Sequence, residues 1–108
     1  MIRVLYFSTA EAELVPADVD NIVSVAQECN AKFNITGALT FNGRNFCQVL
    51  EGEEKHIRVL LDNIAADSRH SGFKIIDEKQ VTERHFADWS MLRVDGLDFS
   101  TVINAMNA

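Results

Sequence analysis

The dipeptide Asn42-Gly43 is the feature that most constrains the fold of this chain. It lies between two largely apolar runs, residues 35–41 (ITGALTF) and residues 44–51 (RNFCQVLE). Asn and Gly tolerate a positive φ angle, which both central residues of a type I′ hairpin turn require. The pattern therefore predicts a β-hairpin with a type I′ turn near the middle of the chain.

Two amphipathic helices flank this hairpin in the sequence. The first is predicted from about residue 16 to residue 31, because Pro16 suits a first-turn position and Asp18 and Asp20 favour the positive end of the helix dipole. The second follows the hairpin and ends near Asp67. Each helix has one apolar stripe at helical spacing. The stripes are Val19, Ile22, Val23 and Ala26 in the first helix, and Ile57, Leu60, Leu61 and Ile64 in the second.

The other regular segments are predicted to be strands. Residues 2–8 (IRVLYFS) are rich in β-branched and aromatic types, and residues 73–81 and the stretch around 85–94 indicate two more strands. The order β-α-β-β-α-β-β is a split βαβ pattern with one added strand. We therefore expect an α+β sandwich of ferredoxin-like topology, with a five-stranded mixed sheet and both helices on one face. We also expect the first and third strands to be parallel neighbours.

The chain is expected to form one domain with a short tail. Its 108 residues suffice for a single core. Residues 1–94 make up the predicted domain and residues 95–108 the tail. The tail carries an apolar stripe at helical spacing, so we expect a short amphipathic helix that covers the free face of the sheet, in the same molecule or across a dimer. The stripe consists of Phe99, Val102, Ile103 and Met106.

Composition disfavours several classes of partner. Acidic residues number 16 and basic residues 10, and the resulting net charge of −6 does not attract a nucleic-acid backbone. No apolar run approaches the roughly 18 residues of a membrane span, so we expect no membrane partner. Cys29 and Cys47 are too few for a disulfide framework, and we expect both to be buried in a cytoplasmic protein. The Cys and His residues lack the paired spacing of metal sites, and no metal is expected.

Three polar side chains occupy positions that the periodicity assigns to the core. Tyr6 and Gln48 lie on the inward faces of the first and third strands, and Asn30 continues the apolar stripe of the first helix. A buried polar group needs a partner, and one Tyr hydroxyl cannot satisfy all donors and acceptors of a Gln amide. Either these side chains satisfy one another, or they bind a planar ligand with a polar edge between the helices. Periodicity alone leaves both interpretations open.

A charged segment follows the second helix. Within it, Arg69 and His70 put a cation and an imidazole near the negative end of the helix dipole, two and three residues after Asp67. Basic groups in this place either cap the helix or contact a ligand. The sequence favours neither interpretation over the other.

Four short segments, together with Tyr6 in the first strand, match the pattern of a known family. They are residues 30–37 (NAKFNITG), 46–52 (FCQVLEG), 67–70 (DSRH) and 89–91 (WSM). In this combination they resemble the BLUF domain, the sensor of blue light using FAD, and the resemblance extends from residue 2 to about residue 94. It implies that FAD is held non-covalently between the two helices and that light operates a switch rather than an enzymatic turnover.

The resemblance also implies a role for each matching residue. Tyr6 would give an electron and then a proton to the excited flavin, while the Gln48 amide rotates or tautomerises. The absorption of the flavin would then shift slightly to the red with no net redox change. Asn30 would bind the carbonyl and imide edge of the flavin, and Trp89 and Met91 would exchange places or report the switch. The remaining cofactor contacts would come from Ile22, Asn63, Asp67, Arg69 and His70.

The chain departs from the family pattern at three places. Cys29 replaces a common Asn, Asn63 stands where members often carry Arg or His, and Asn34 replaces a frequent Gly. These departures bear on cofactor affinity and exchange more than on photochemistry, because Tyr6 and Gln48 are both present.

Three functional classes follow from these observations. The resemblance implies a photoreceptor that signals to a partner or effector domain, and we expect a dimer or larger homo-oligomer. The alternative is a small-molecule regulatory module of the same architecture without flavin, since a fold does not determine a function. A flavin enzyme is disfavoured, because beyond the switch residues nothing in the pattern resembles an acid or base that handles a substrate.

Overall fold

A five-stranded sheet organises the structure, a computed structural model that describes residues 1–87, 91–94 and 100–106. The strand order is β4-β1-β3-β2-β5, with β5 parallel to β2 and the other neighbours antiparallel. The α+β sandwich predicted from the sequence is confirmed. The elements in chain order are β1 (Ile2–Ala10), α1 (Pro16–Lys32), β2 (Thr36–Phe41), β3 (Asn45–Gly52), α2 (Glu54–Ala65), β4 (His70–Gln80), β5 (Leu92–Val94) and α3 (Ser100–Met106).

β1 and β3 are adjacent at the centre of the sheet, but the prediction that they run parallel is wrong. They pair antiparallel, and the register sets Tyr6 directly opposite Gln48. The reason is the connectivity. The α1 crossover makes β1 and β2 run in the same direction, and the hairpin reverses the direction of β3. Because β3 lies between β1 and β2, it is antiparallel to both.

The helices cover both faces of the sheet. α1 and α2 pack on one face, where Val19 and Val23 of α1 and Ile57 and Leu61 of α2 belong to the same buried cluster as Tyr6. α3 packs on the opposite face of its own molecule, where its apolar side chains join Leu5, Cys47 and Val49. Phe99, which the tail stripe includes, lies outside the described residues. None of the helices in the described parts of the chain is long and apolar enough to cross a membrane.

The predicted hairpin joins β2 and β3, but its turn is not of type I′. Gly43 has a φ of +93°, whereas Asn42 does not have a positive φ. Asn42 acts through its side chain instead, because Oδ1 accepts hydrogen bonds from the backbone N–H of Arg44 at 3.0 Å and of Asn45 at 2.8 Å. A side chain that bonds the backbone two and three residues ahead closes the turn without a second left-handed residue.

Two positions near the junction of α1 and β2 restrict the residue type, one through its backbone conformation and one through a close approach to β3. Asn34 has a φ of +54°, a left-handed conformation that Asn tolerates and Gly adopts freely. The chain therefore makes this bend with Asn34, where the pattern that it resembles frequently has Gly. Gly37 lies so close to β3 that an added Cβ would be 2.0 Å from the carbonyl oxygen of Val49.

The two cysteines have different environments. Cys47 is buried on β3, and burial raises the pKa of its thiol to about 12. Cys29 is exposed, so the prediction that it is a buried side chain is wrong. It directly precedes Asn30 and lies beside the apolar stripe of α1 rather than within it.

Candidate functional site

A cleft of about 530 Å³ opens between α1 and α2 above the central strands. The apolar side chains of Val25, Phe33 and Val59 line it although each is 50–61% exposed. Large apolar side chains on the wall of a concave site suit a ligand that covers them. All the described residues that the resemblance links to cofactor binding line this cleft: Tyr6, Ile22, Asn30, Gln48, Asn63, Asp67, Arg69 and His70.

Gln48 connects Tyr6 to Met91 at the floor of the cleft. The Tyr6 hydroxyl donates a hydrogen bond to Oε1 of Gln48, and Nε2 of the same amide donates to Sδ of Met91 at 3.4 Å. All three side chains are at most 5% exposed. The orientation of the Gln48 amide therefore depends on one contact at its oxygen and one at its nitrogen, made to different elements of the fold.

Tyr6 is held in its protonated form. Burial, and to a smaller extent the nearby Cys47 and Asp67 groups, raise the pKa of its hydroxyl well above the ordinary value. The ring of Phe73 packs beside that of Tyr6, with the ring centroids 4.9 Å apart. A protonated hydroxyl is a hydrogen-bond donor, which matches its contact with the carbonyl oxygen of Gln48.

Asn30 lies at the end of α1 that faces the start of β2. It is 2% exposed. Its main-chain carbonyl oxygen accepts hydrogen bonds from the backbone N–H of Phe33 at 3.1 Å and of Ile35 at 3.0 Å. These bonds close the end of the helix and secure the backbone that carries the Asn30 side chain. Asn30 also lines the cleft, so a buried amide side chain is present on its α1 side.

The segment after α2 both caps that helix and lines the cleft. The Asp67 carboxylate accepts hydrogen bonds from Nε of Arg69 at 3.0 Å and from its backbone N–H at 2.9 Å. This partner lowers the pKa of Asp67. Nε2 of His70 contacts the carbonyl oxygen of Ile64 in the last turn of α2. The sequence left open whether these basic groups cap α2 or contact a ligand. The structure allows both, because the segment bonds the end of α2 and also lines the cleft.

Other parts of the site differ in how well the sequence indicated them. Trp89 lies outside the described residues, whereas Met91 is buried just before β5. Gln27 was not predicted, yet its Nε2 donates to the Met91 carbonyl oxygen at 2.9 Å. An exposed Gln beside an apolar stripe gives no pattern signal. Phe33 and Val59 did carry a signal, because they are large apolar residues outside the two helix stripes.

Comparison with known proteins identifies the family to which this arrangement belongs. The BLUF family model, described as sensors of blue-light using FAD, matches residues 1–92. The blue light- and temperature-regulated antirepressor BluF of Escherichia coli is 38% identical over 52 residues, which are 48% of this chain and 13% of that protein. The photoactivated adenylate cyclase subunit beta of Euglena gracilis is 30% identical over 91 residues, or 82% of this chain and 11% of the relative.

Solved structures share the fold as well. The dark-state structure of the BLUF protein BlrB is 31% identical, has a TM-score of 0.85, and matches over 93% of this chain and 76% of that one. A bacterial light-regulated adenylyl cyclase is 30% identical with a TM-score of 0.84, over 88% of this chain and 28% of that one. This chain thus spans a small part of the curated relatives that it matches. The family match over residues 1–92 shows that the chain belongs to the BLUF family, the sensors of blue light that use FAD.

Proposed function

We propose that this BLUF domain senses blue light through a hydrogen-bond switch formed by Tyr6 and Gln48, and that it passes the signal to a partner or effector domain. The observation that carries this proposal is the position of the Gln48 amide, which bridges the Tyr6 hydroxyl and the Met91 thioether at the floor of the cleft. A signal requires an element with two discrete arrangements that a stimulus can bias. An amide with different groups at its two ends is such an element.

The chemistry of the cleft suits a flavin. Most of the side chains that line it are apolar, and amide groups come from Asn30 of α1, Gln48 of β3 and Asn63 of α2. This distribution fits a planar ring that has one polar edge and two apolar faces. FAD, when bound, supplies the absorption of blue light and an excited state that accepts electrons. The chain itself must then provide an electron and proton donor, a group that changes its hydrogen bonds, and contacts that hold the cofactor.

Tyr6 is the proposed donor. Its buried hydroxyl keeps its proton in the dark, because burial raises its pKa further above the ordinary value of a Tyr hydroxyl, which is itself well above neutrality. The hydrogen bond to Oε1 of Gln48 gives this proton a defined direction. A buried phenol with one acceptor at hand releases and recovers its proton along one path, which favours complete return to the dark arrangement.

Gln48 is the proposed switch. In its present orientation the amide oxygen accepts from Tyr6 and the amide nitrogen donates to Met91. Rotation by half a turn would direct the NH₂ group towards Tyr6 and the oxygen towards a thioether, which has no hydrogen to donate. Tautomerisation would change the donors and acceptors without rotation. In either case the polar edge of a ligand above the floor would meet a different set of hydrogen bonds.

The remaining site residues are proposed to hold the cofactor. Asn30 offers its amide to the carbonyl and imide edge, and Arg69, positioned by Asp67, offers a cation towards the ring or the ribityl chain. His70 and Asn63 add polar contacts, and Ile22 adds an apolar one. The buried Asn30 amide and the exposed Arg69 guanidinium offer polar groups of the kind that the carbonyl and imide groups of a flavin require.

The output is proposed to leave through the C-terminal part of the chain. Trp89 and Met91 are the proposed reporters of the switch, and we divide the chain into a photosensory domain of residues 1–94 and a tail of residues 95–108. The packing of α3 on the sheet beneath Leu5 and Cys47 supports a route by which a change at the sheet reaches the tail. Light-regulated cyclases and an antirepressor among the relatives support an effector partner for a chain that is itself a sensor rather than an enzyme.

Assembly and location complete the proposal. We propose a dimer or larger homo-oligomer. A second copy would contact either the side of the molecule that α3 covers or the side that α1 and α2 cover. The net charge of −6 supports protein partners rather than nucleic acid. The two cysteines are free thiols, which supports a reducing, cytoplasmic location. No membrane partner is proposed.

Absorption spectroscopy of the purified protein tests the proposed function. We expect a yellow protein with a flavin spectrum. Its absorption should shift slightly to longer wavelength under blue light and return to the original spectrum in the dark. Extraction with acid or heat should release intact FAD, because the cofactor is not covalently bound. A colourless protein that does not take up FAD, or a flavin spectrum unchanged by light, would contradict the proposal.

A further inference from the structure

We propose that Gln27 is a positioning residue, which fastens Met91 to α1 and thereby favours the dark arrangement of the Gln48 amide. This inference rests on the proposed function of Gln48 as the switch. Its direct observation is the hydrogen bond of 2.9 Å from Nε2 of Gln27 to the carbonyl oxygen of Met91. The residues are 64 positions apart in the sequence, so the contact joins two separate elements.

Met91 is held at two points by two different glutamines. Its main chain accepts from Gln27, and its side chain accepts from Gln48 at 3.4 Å. The second contact is the weaker one, because a thioether is a poor acceptor on a flexible, unbranched side chain. The bond to the carbonyl oxygen therefore contributes most of the polar restraint on this residue in the described part of the chain.

The strand that follows Met91 adds little restraint of its own. β5 is three residues long and lies at the edge of the sheet, where Leu92–Val94 pair with Ala38, Leu39 and Thr40 of β2. A strand with so few ladder bonds opens at low free-energy cost. A side-chain bond from a 17-residue helix to the residue before this strand is thus a significant part of its attachment.

The same turns of α1 form the wall of the cleft. Ala26 and Asn30 line it on either side of Gln27 in the sequence. The helix that contacts the cofactor site therefore also holds the carbonyl of Met91. When the Gln48 amide changes its orientation, it gives up its donor contact with Sδ, and Gln27 keeps the main chain of Met91 in place. The Sδ atom of Met91 is then in place to accept from Nε2 as soon as the Gln48 amide returns to its dark orientation.

Removal of the Gln27 donor should therefore slow the thermal return to the dark state. Gln27→Ala and Gln27→Glu are the two test variants. Glu has the shape of Gln but, when ionised, no hydrogen to donate. In both we expect flavin content and the size of the red shift to match the parent protein, and dark recovery to slow about 5-fold, the factor that one ordinary hydrogen bond is worth. Ser24→Ala, on an exposed position one turn earlier in α1, is the matched control and should recover at the parent rate.

A second measurement reports the bond itself. With ¹³C-labelled methionine carbonyls, one infrared carbonyl band of the dark protein should move to higher frequency in both Gln27 variants and stay in place in Ser24→Ala. Recovery within about 2-fold of the parent rate, faster recovery, or an unmoved carbonyl band would each overturn the proposal. Failure of the proposed function is distinguishable from failure of this inference. In the first case the parent protein itself would show no red shift, and the carbonyl band of the dark protein would still test the Gln27 bond.

Discussion

Arg3 and Glu51 form an ion pair in the interior of the sheet, with Nε of Arg3 2.9 Å from Oε2 of Glu51. The pair lies on the α3 face, because each residue alternates with the side chains that contact that helix. The Glu51 carboxylate also accepts from the backbone N–H of His85 at 2.7 Å and of Phe86 at 2.8 Å. Arg3 in turn donates to the carbonyl oxygen of Ala105 in α3 at 3.1 Å. One buried pair thus joins two central strands, a loop and the C-terminal helix.

Glu51→Gln should therefore destabilise the fold strongly. The substitution leaves the charge of Arg3 buried without its carboxylate, and removal of one partner of a buried ion pair costs about 3–5 kcal/mol. Urea denaturation of the two proteins measures the difference. Glu54→Gln is the matched control, because Glu54 pairs with Arg58 on the exposed surface of α2 and should contribute about 0.5 kcal/mol or less. Equal free energies of unfolding in the two variants would show that the buried pair contributes no more to stability than the exposed one.

Tyr6→Phe should abolish the photocycle and leave the cofactor bound. The change removes only the hydroxyl that donates to Gln48 and preserves the ring that packs against Phe73. We expect a normal flavin content and no red shift under blue light, as measured by light-minus-dark absorption. If the variant still completes a photocycle, another residue donates the electron, and Trp89 is the first to test.

Gln48→Leu should retain flavin but lose the light-induced red shift. Leucine fills a similar volume, whereas the amide that meets Tyr6 and Met91 is gone. The same substitution at the exposed Gln80 of β4 is the control and should leave the difference spectrum intact. A red shift of normal size in Gln48→Leu would remove this amide from the mechanism.

Asn30→Ala should weaken flavin binding. Loss of a buried partner leaves polar atoms of the ligand unpaired, at about 1–3 kcal/mol, which corresponds to roughly 5- to 150-fold in affinity. Flavin fluorescence during dialysis or titration gives the dissociation constant. Asn21→Ala, at an exposed position of the same helix, should leave the affinity unchanged. Equal retention of flavin by the two variants would argue against Asn30 as a ligand.

The free energy of unfolding should fall in alkaline solution because of Cys47. Burial raises the pKa of its thiol from 9.0 to about 12, so above pH 9 the unfolded chain releases a proton that the folded protein keeps. Stability is then lost as pH rises, by up to about 1.4 kcal/mol per pH unit for one such group. Urea denaturation between about pH 8 and pH 10 should show a smaller loss in Cys47→Ala than in the parent. Cys29→Ala removes an exposed thiol and should leave the alkaline loss as it is.

Much of the secondary structure was accessible from the sequence, because helix and strand periodicities are local. The 3.6-residue spacing of apolar side chains identified α1 and α2, and alternation identified the inward faces of β1 and β3. Alternation alone also directed Tyr6 and Gln48 to the face that carries the cleft. The motifs around Asn30, Gln48 and Arg69 then indicated the BLUF family, which the family match confirms.

Only the tertiary structure decided which distant residues meet. The antiparallel direction of β1 and β3 sets Tyr6 opposite Gln48, and it follows from how a crossover and a hairpin combine, not from either strand by itself. The bond from Gln27 to Met91 and the pair of Arg3 and Glu51 join residues 64 and 48 positions apart. Local periodicity states which face a side chain occupies, but its partner depends on strand order and register. Those are properties of the packed sheet, where the burial of all the apolar faces at once selects one arrangement.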